Sequence, residues 1–278
     1  MNELKDNYEQ TEVMNIADLV LEKISGQEKA DRFLHKEIFL SPEQVEELKK
    51  ILSRLKQNEP VQYALEEAWF AGMKFKVNSS VLIPRPETEE LVDWVLKVIN
   101  YQYSMFNIQC SILDIGTGSG CIPIALKKNL PEVGVSAIDV CSEAIFIATE
   151  NAADHNTDID FILMDFLNEE KWYELGQFDI IVSNPPYIRQ SEAKDMHERV
   201  KDFEPHIALF VPDNDALLFF KKLGDFAKTH LNPSGSLFVE INESLGKKVV
   251  SLFQLAGFLN VELKKDMQEK ERMVRASI

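Results

Sequence analysis

Cysteine is scarce in this sequence. Cys110, Cys121 and Cys141 are the only three in 278 residues, and no C-x-x-C pair occurs, so neither a disulfide framework nor a zinc site is expected. That usage fits a reducing cytosol. Basic charge is also short: 30 Lys and Arg stand against 46 Asp and Glu, a formal net of -16. Tight nonspecific binding to a phosphate backbone needs clustered Lys and Arg, so DNA is not an expected partner, although a local basic groove stays open. The five histidines are scattered without ligand spacing, and no metal is expected. No run approaches the roughly 18 to 20 apolar residues of a membrane span, and "MNELKDNYEQTEVMN" lacks the apolar core of a signal peptide. A cytoplasmic protein, away from membranes and monomeric, is the expectation. There is no internal repeat and no low-complexity segment, and the length suits one large domain or two unequal ones.

Turn residues are nearly absent from the first 70 or so positions, which carry helical periodicity instead. Ser41-Pro42-Glu43-Gln44 reads as a helix start: Ser caps, Pro fits the first helical position, and Gln closes a capping box. Val45, Leu48, Leu52 and Leu55 then recur at helical spacing and give one buried face. A small all-helical domain over 1–68 follows. From Ala68 to Ile83 the pattern turns to alternation, with Phe75, Val77, Val81 and Leu82 flanking an Asn-Ser-Ser turn, which predicts a β-hairpin linker over 69–84. From Pro84 onward strands and helices alternate as in a parallel sheet covered on both faces. Strands are predicted at Ser111 to Ile115, Gly134 to Asp139, Asp160 to Leu163, Phe178 to Val182 and Leu237 to Ile241. A closing pair is expected near Leu259 to Lys264 and Arg272 to Ser277.

"SILDIGTGSGCIPIALKKN" runs from a buried strand through Gly116, Gly118 and Gly120 into a helix. Three glycines let the backbone turn sharply and come close to a ligand. A dinucleotide fingerprint would be G-x-G-x-x-G. The G-x-G-x-G spacing here, with Asp114 before it, suits a ligand with an amino-acid tail and no phosphate; a strand-to-helix turn without a ligand is the alternative. The second strand ends in Asp139, where doubly wound folds place the acid that holds ribose hydroxyls. Capping the following helix is its other reading, a task that Ser142 could take instead. The third strand ends in Met164-Asp165-Phe166. There Asp165 offers a carboxylate to an adenine amino group and Phe166 offers a stacking face, though Phe166 alone also suits a core.

"FDIIVSNPPYI" delivers Ser183-Asn184-Pro185-Pro186-Tyr187 to the same sheet edge. Two prolines fix φ and lack N–H groups, so the segment is stiff and extended. The Asn184 side-chain oxygen and the Pro185 carbonyl are then two fixed acceptors, between which a planar NH2 group fits, with Tyr187 as a wall. An amide nitrogen has a delocalised lone pair and is a poor nucleophile. Accepting from both of its N–H groups orients it and favours the charge that develops on attack. Asn184 is no general base, because it does not titrate.

These residues together resemble the S-adenosylmethionine-dependent methyltransferases that modify planar nitrogens. "PVQYALEEAWFAGMKFKVNSSVLIPRPETEELVDWVL", followed by "NPPYIRQSE", "VKDFEPHIAL", "FVEINESLG" and "ERMV", closely resembles one branch, the peptide chain release factor glutamine methyltransferases of the HemK/PrmC family. The resemblance covers Pro60 to the C-terminus and implies an α/β fold: a Rossmann-like doubly wound methyltransferase sheet over 85–278 with an antiparallel closing strand, preceded by the all-helical domain. It implies S-adenosylmethionine as cofactor, held by Gly116, Thr117, Gly118, Ser119, Gly120, Asp139, Asp165, Phe166 and Asn184. Asn184, Pro185 and Tyr187 would be catalytic, and Asn184, Pro185, Pro186, Tyr187 and Arg85 would hold the substrate. The implied reaction is methyl transfer to the Gln of the Gly-Gly-Gln motif in class I release factors, with the helical domain contacting the release factor. The chain departs from the family at Glu66, where Gly is usual, at Val211 to Ala216 in place of a glycine-rich turn, and at Lys270-Glu271 in place of a Gly before the final Arg. Adenine in DNA or guanine in RNA is the alternative target, and a nucleoside-binding regulator without chemistry is a third reading. Pro86, Glu87, Glu89 and Glu90 by themselves read as an ordinary acidic helix start.

Overall fold

The computed structural model describes residue 4 and residues 8–27, 29–34, 39–103 and 110–278. Positions 1–3, 5–7, 28 and 35–38 of the expected helical N-terminal unit lie outside the described residues. The chain divides into two units, Met1–Glu67 together with His197–Phe203, and Ala68–Met196 together with Glu204–Ile278. Among the described residues, the Met1–Glu67 part of the first holds α1 (Gln10–Ser25), α2 (Lys29–Leu34), α3 (Pro42–Lys56) and α4 (Val61–Leu65). The capping box at Ser41 forms as its chemistry requires. Gln44 N donates to Ser41 Oγ at 3.3 Å, and Ser41 N donates to Gln44 Oε1 at 2.9 Å. Val13, Ile16, Val20 and Ile24 of α1 pack with Ile51 and Leu55 of α3 and with Ala64 and Leu65. Ile51 is thus deeper than Leu48 and Leu52, which are only half-buried, because the stripe that meets α1 runs along its edge. Tyr8 donates to the Leu55 carbonyl at 2.9 Å, and Arg199 lies 3.8 Å over the Tyr8 ring.

The hairpin pairs β1 (Glu67–Phe70) with β2 (Met73–Lys76). Its turn is Ala71-Gly72, both at positive φ (48° and 73°), the conformation whose twist matches a tight two-residue hairpin. The expected Asn-Ser-Ser turn therefore joins no strand pair. Asn78 instead folds on itself, its side chain accepting from Ser80 N at 2.8 Å and its carbonyl from Val81 N at 3.1 Å.

Seven strands form the central sheet in the order β10-β11-β9-β6-β3-β4-β5. They are β3 (Ser111–Ile115), β4 (Gly134–Asp139), β5 (Asp160–Leu163), β6 (Phe178–Ser183), β9 (Leu231–Glu240), β10 (Asn260–Lys265) and β11 (Glu271–Ser277). β11 runs antiparallel to both β9 and β10, while β9, β6, β3, β4 and β5 are mutually parallel. Period-two alternation explains why both faces are buried. Ile112, Ile180, Val182, Phe238 and Met273 enter one core; Leu113, Ile115, Ile181, Leu237, Val239 and Val274 enter the other. A slip of one residue would exchange the two sets, so the register is strongly specified. α5 (Pro86–Tyr103), α6 (Cys121–Asn129), α7 (Ser142–Asp154), α10 (Leu218–His230) and α11 (Gly246–Leu255) cover the sheet. The strand order reverses at β3, which has β4 on one side and β6, later in the chain, on the other. Ligands of open α/β sheets bind where the order reverses, at the carboxyl ends of the strands. A short parallel pair, β7 (Ile188–Arg189) with β8 (Phe210–Val211), and two short helices, α8 (Glu198–Phe203) and α9 (His206–Leu209), lie between β6 and α10. Among the described residues no helix is long and apolar enough to cross a membrane.

Candidate active site

The loop after β3 and the loop after β6 emerge side by side, because Ile115 pairs with Ser183 in register. Ser183 Oγ donates to the Ile115 carbonyl at 2.7 Å and ties the two strand ends together. A cavity of about 290 Å³ opens there, lined by Gly116 to Ser119, Asp139, Met164 to Phe166 and Ser183 to Pro186, with Arg85 and Thr88 at another side.

Each glycine of the loop has positive φ: 78° at Gly116, 54° at Gly118 and 79° at Gly120. Gly116 N and Thr117 N both donate to the Ile138 carbonyl, at 2.9 and 3.0 Å, which bends the chain back over β4. A Cβ at Gly116 or Gly118 would meet nothing within 4 Å, whereas one at Gly120 would lie 3.1 Å from Ala148 Cβ and from Ile124 Cδ1. Two glycines thus keep the cavity open and the third lets α6 pack on α7. The buried Asn151 side chain secures the loop, donating to the Ser119 carbonyl at 2.9 Å and to the Lys76 carbonyl at 3.0 Å.

Asp139 closes the loop from the end of β4. Its Oδ2 accepts from Gly118 N at 2.8 Å and its Oδ1 from Cys141 N at 2.9 Å. Burial raises its pKa, and the hydrogen bonds from Cys141, Gly118 and Val140 backbone oppose the rise. Ser142 does not cap α7; its hydroxyl donates to Glu143. Asp165 is exposed and accepts from Leu167 N at 2.9 Å. One face of the Phe166 ring is stacked on Trp172 (centroids 5.4 Å apart) and Phe226 meets it edge-on, so this residue serves both the core and the cavity wall.

Asp114 is fully buried, and its two oxygens, like the hydroxyls of Thr117 and Ser119, make no well-formed hydrogen bond among the described residues. Burial pushes its carboxyl up to about 7; the Thr117 hydroxyl works against the rise and the Asp139 carboxylate adds to it. Buried polar atoms normally have partners. An unpaired acid beneath a glycine loop, hydroxyls beside it, and an apolar slot of Ile138, Val140, Met164 and Phe166 match a ligand with an ammonium end and a flat base. The donor set fits S-adenosylmethionine. Cys121 is no nucleophile here, since burial pushes its thiol up to about 12. Among the described residues no three His, Cys, Asp or Glu side chains gather as a metal site.

Asn184, Pro185 and Pro186 line the cavity, but Tyr187 does not. Its ring packs against the core and its hydroxyl donates to Glu240 Oε1 at 3.3 Å; burial first, and then the Glu240 carboxylate, raises its pKa. Asn184 Nδ2 donates to Thr88 Oγ1 at 3.1 Å, and Thr88 donates to Glu240 Oε2 at 2.6 Å. The Arg85 guanidinium, expected to meet substrate, is paired with Glu204 at 2.6 Å. Glu89 accepts from Ala71 N at 2.9 Å and anchors the hairpin turn. Sequence reasoning missed Thr88, Glu204 and Glu240. The one available signal was an acid closing an otherwise apolar "SLFVE" strand.

Models of two families match the sequence, the PrmC N-terminal domain over residues 2–65 and the methyltransferase small domain over residues 98–202. A release factor glutamine methyltransferase of Flavobacterium psychrophilum is 44% identical over 271 residues, covering 97% of this chain and 93% of that protein. The chain belongs to the release factor glutamine methyltransferase family. A second member, from Bacteroides thetaiotaomicron, is 38% identical over 99% of this chain and 96% of its own length. The fold is shared with a Thermus thermophilus 16S rRNA methyltransferase solved with AdoMet and guanosine, at TM-score 0.51 and 18% identity over 76% of this chain and 49% of that one. The protein is an S-adenosylmethionine-dependent methyltransferase.

Proposed function

We propose that this chain methylates class I peptide chain release factors on the side-chain amide nitrogen of the Gln in their Gly-Gly-Gln motif. The observation that carries this reading is the position of Asn184-Pro185-Pro186 in the same cavity as the glycine loop, at the point where the strand order reverses. S-adenosylmethionine, when bound, supplies an electrophilic methyl group on its sulfonium. Gly116 to Gly120, with Asp114 beneath them, would hold the amino-acid end, Asp139 the ribose, and Asp165 and Phe166 the base. Asn184 Oδ1 and the Pro185 carbonyl accept from the two N–H groups of the target amide, aligning its nitrogen for in-line attack. Pro186 keeps the segment stiff, and Tyr187, turned to Glu240, anchors it from behind the cavity. Arg85 shapes the mouth through Glu204. The helical unit contacts the release factor, and the protein works as a cytosolic monomer.

The net charge of -16 disfavours a flipped base in nucleic acid as the target. Labelled S-adenosylmethionine mixed with purified protein and, in parallel, a release factor, the same factor with its motif Gln replaced, duplex DNA and ribosomal RNA separates the readings. Label is expected in the intact factor alone; label in nucleic acid, or equally in the altered factor, sinks the proposal. Asn184→Ala is expected to retain most of the cofactor affinity and to lose methyl transfer.

A further inference from the structure

A side-chain amide can sit in either of two orientations that exchange its oxygen and its NH2, and only one of them offers an acceptor to a target N–H. We propose that Thr88 and Glu240 are positioning residues that impose this choice, holding Asn184 by its Nδ2 so that Oδ1 remains the acceptor. The inference rests on the reading of Asn184 given above.

A threonine hydroxyl has one proton to give. With Glu240 ionised, Thr88 spends it on Glu240 Oε2, 2.6 Å away, which leaves Oγ1 only lone pairs for Asn184 at 3.1 Å. The Asn184 end that faces it must therefore be the donor. Among the described residues the Asn184 side chain is hydrogen-bonded through Nδ2, to Thr88, and Asn184 and Thr88 both line the cavity. The other Glu240 oxygen accepts from Tyr187 at 3.3 Å, so one carboxylate holds the first and last residues of the Asn-Pro-Pro-Tyr segment. Both supports are buried in regular elements. Thr88 is in the first turn of α5 and 3% exposed, and Glu240 ends β9 at 2%. A carboxylate at the end of a buried strand carries a desolvation cost that an apolar residue would not. Arg272, whose charge favours the ionised form of Glu240, commits its Nε to Asp266 at 3.1 Å. Stability alone does not account for an acid at this place; a fixed hydrogen-bond direction does.

The test uses the full chain, a release factor with its Gly-Gly-Gln motif, labelled S-adenosylmethionine for turnover and calorimetry for cofactor binding. Thr88→Val removes the hydroxyl at equal volume. It is expected to lower kcat at least tenfold while the Kd for S-adenosylmethionine stays within twofold and the KM for the factor within threefold. Thr88→Ser restores kcat to within threefold. The Thr88→Val, Asn184→Ala double variant loses no more than Asn184→Ala alone, since the two act as one unit. NMR signals of the Asn184 side-chain amide, identified by their absence in Asn184→Ala, exchange with water at least tenfold faster in Thr88→Val. Thr88→Ala serves the same comparisons where Thr88→Val folds poorly. Unchanged kcat in Thr88→Val, additive losses in the double variant, or unchanged amide exchange overturns the positioning role and leaves the reading of Asn184 standing. Undiminished turnover in Asn184→Ala overturns that reading itself, and the positioning role with it.

Discussion

Arg85 and Glu204 form an ion pair, Nη2 to Oε1 at 2.6 Å, across 119 positions of sequence. The Glu204 side chain is only 1% exposed, and it also accepts from Ile83 N at 3.3 Å. It thereby fastens the segment before α5 to the turn that leads into α9; Pro84 and Arg85 of the one and Ile207 and Ala208 of the other's helix border the cavity.

Removing one partner of this pair is expected to cost more than removing both. Arg85→Ala leaves a buried carboxylate with a single backbone donor, at a cost of about 3 kcal/mol. Arg85→Met with Glu204→Gln is expected to cost about 1 kcal/mol, because no uncompensated charge remains. Urea unfolding of the two variants measures the difference. A single variant no worse than the double would show that the pair is only incidental.

Glu66 ends α4 in the left-handed region, at φ 57°. An L-residue there costs roughly 1 kcal/mol that glycine does not. Its contact with Arg54 at 3.4 Å involves a carboxylate that is 73% exposed, so it returns little. Glu66→Gly is expected to stabilise the helical unit by about 0.5 to 1 kcal/mol, read from the denaturation midpoint at the far-ultraviolet helix signal. An unchanged or lower midpoint would show that the carboxylate matters more than the backbone.

The fold was legible because its strands obey two-residue alternation and its turns use committed residues; six of the seven strands of the sheet lie within a residue of where the pattern places them, while β9 begins at Leu231, six residues before the expected Leu237. Ser41, Gln44 and the three loop glycines declare their roles locally. The hairpin turn did not, since Ala71 takes a positive φ that its identity does not announce, while Asn78-Ser79-Ser80 advertises a turn that joins no strands. Thr88 and Glu240, 152 positions apart, sit in stretches that read as a helix start and a strand end, and only tertiary pairing gives them a shared task. The place of Tyr187 is set in the same way: its sequence neighbours suggest a cavity wall, but its hydroxyl meets Glu240, far away in sequence. The helix that carries Arg199 belongs with the N-terminal helices although in sequence it lies between β7 and α9.

Gly118 and Gly120 should fail in different ways when substituted by alanine. Both hold positive φ, 54° and 79°, so each substitution carries a backbone cost of about 1 kcal/mol. At Gly120 the new Cβ would also meet Ala148 Cβ at 3.1 Å and its Cα at 3.2 Å, backbone-fixed atoms that cannot step aside. Gly120→Ala is expected to destabilise by about 2 to 4 kcal/mol in all. Gly118→Ala meets open space instead, and that space belongs to the cavity. Its expected signature is a loss of S-adenosylmethionine affinity of tenfold or more with a melting temperature near that of the parent. Equal effects on stability would show that the loop conformation, not the ligand space, is what the glycines protect.

Asp114 and Glu240 make opposite demands on pH from those of ordinary surface carboxylates. Burial is the largest cause in both, raising Asp114 from 3.8 to about 7 and Glu240 from 4.5 to about 7. A folded-state pKa above the unfolded one means that the folded chain binds more protons in between. Their contribution to stability is therefore fully present below about pH 4 and is lost as pH rises through about 7. Each group contributes a slope of at most about 1.4 kcal/mol per pH unit in that window. Asp114→Asn and Glu240→Gln abolish their own share, so each variant should gain on the parent as urea unfolding is moved from pH 5 to pH 8. A difference between variant and parent that stays constant over that range would show that the carboxyl already ionises freely. The Asp114 case has a further consequence, because the acid that weakens the free chain at neutral pH is the one an ammonium group would relieve. S-adenosylmethionine should then raise the melting temperature more at pH 8 than at pH 5 in the parent, and equally at both in Asp114→Asn.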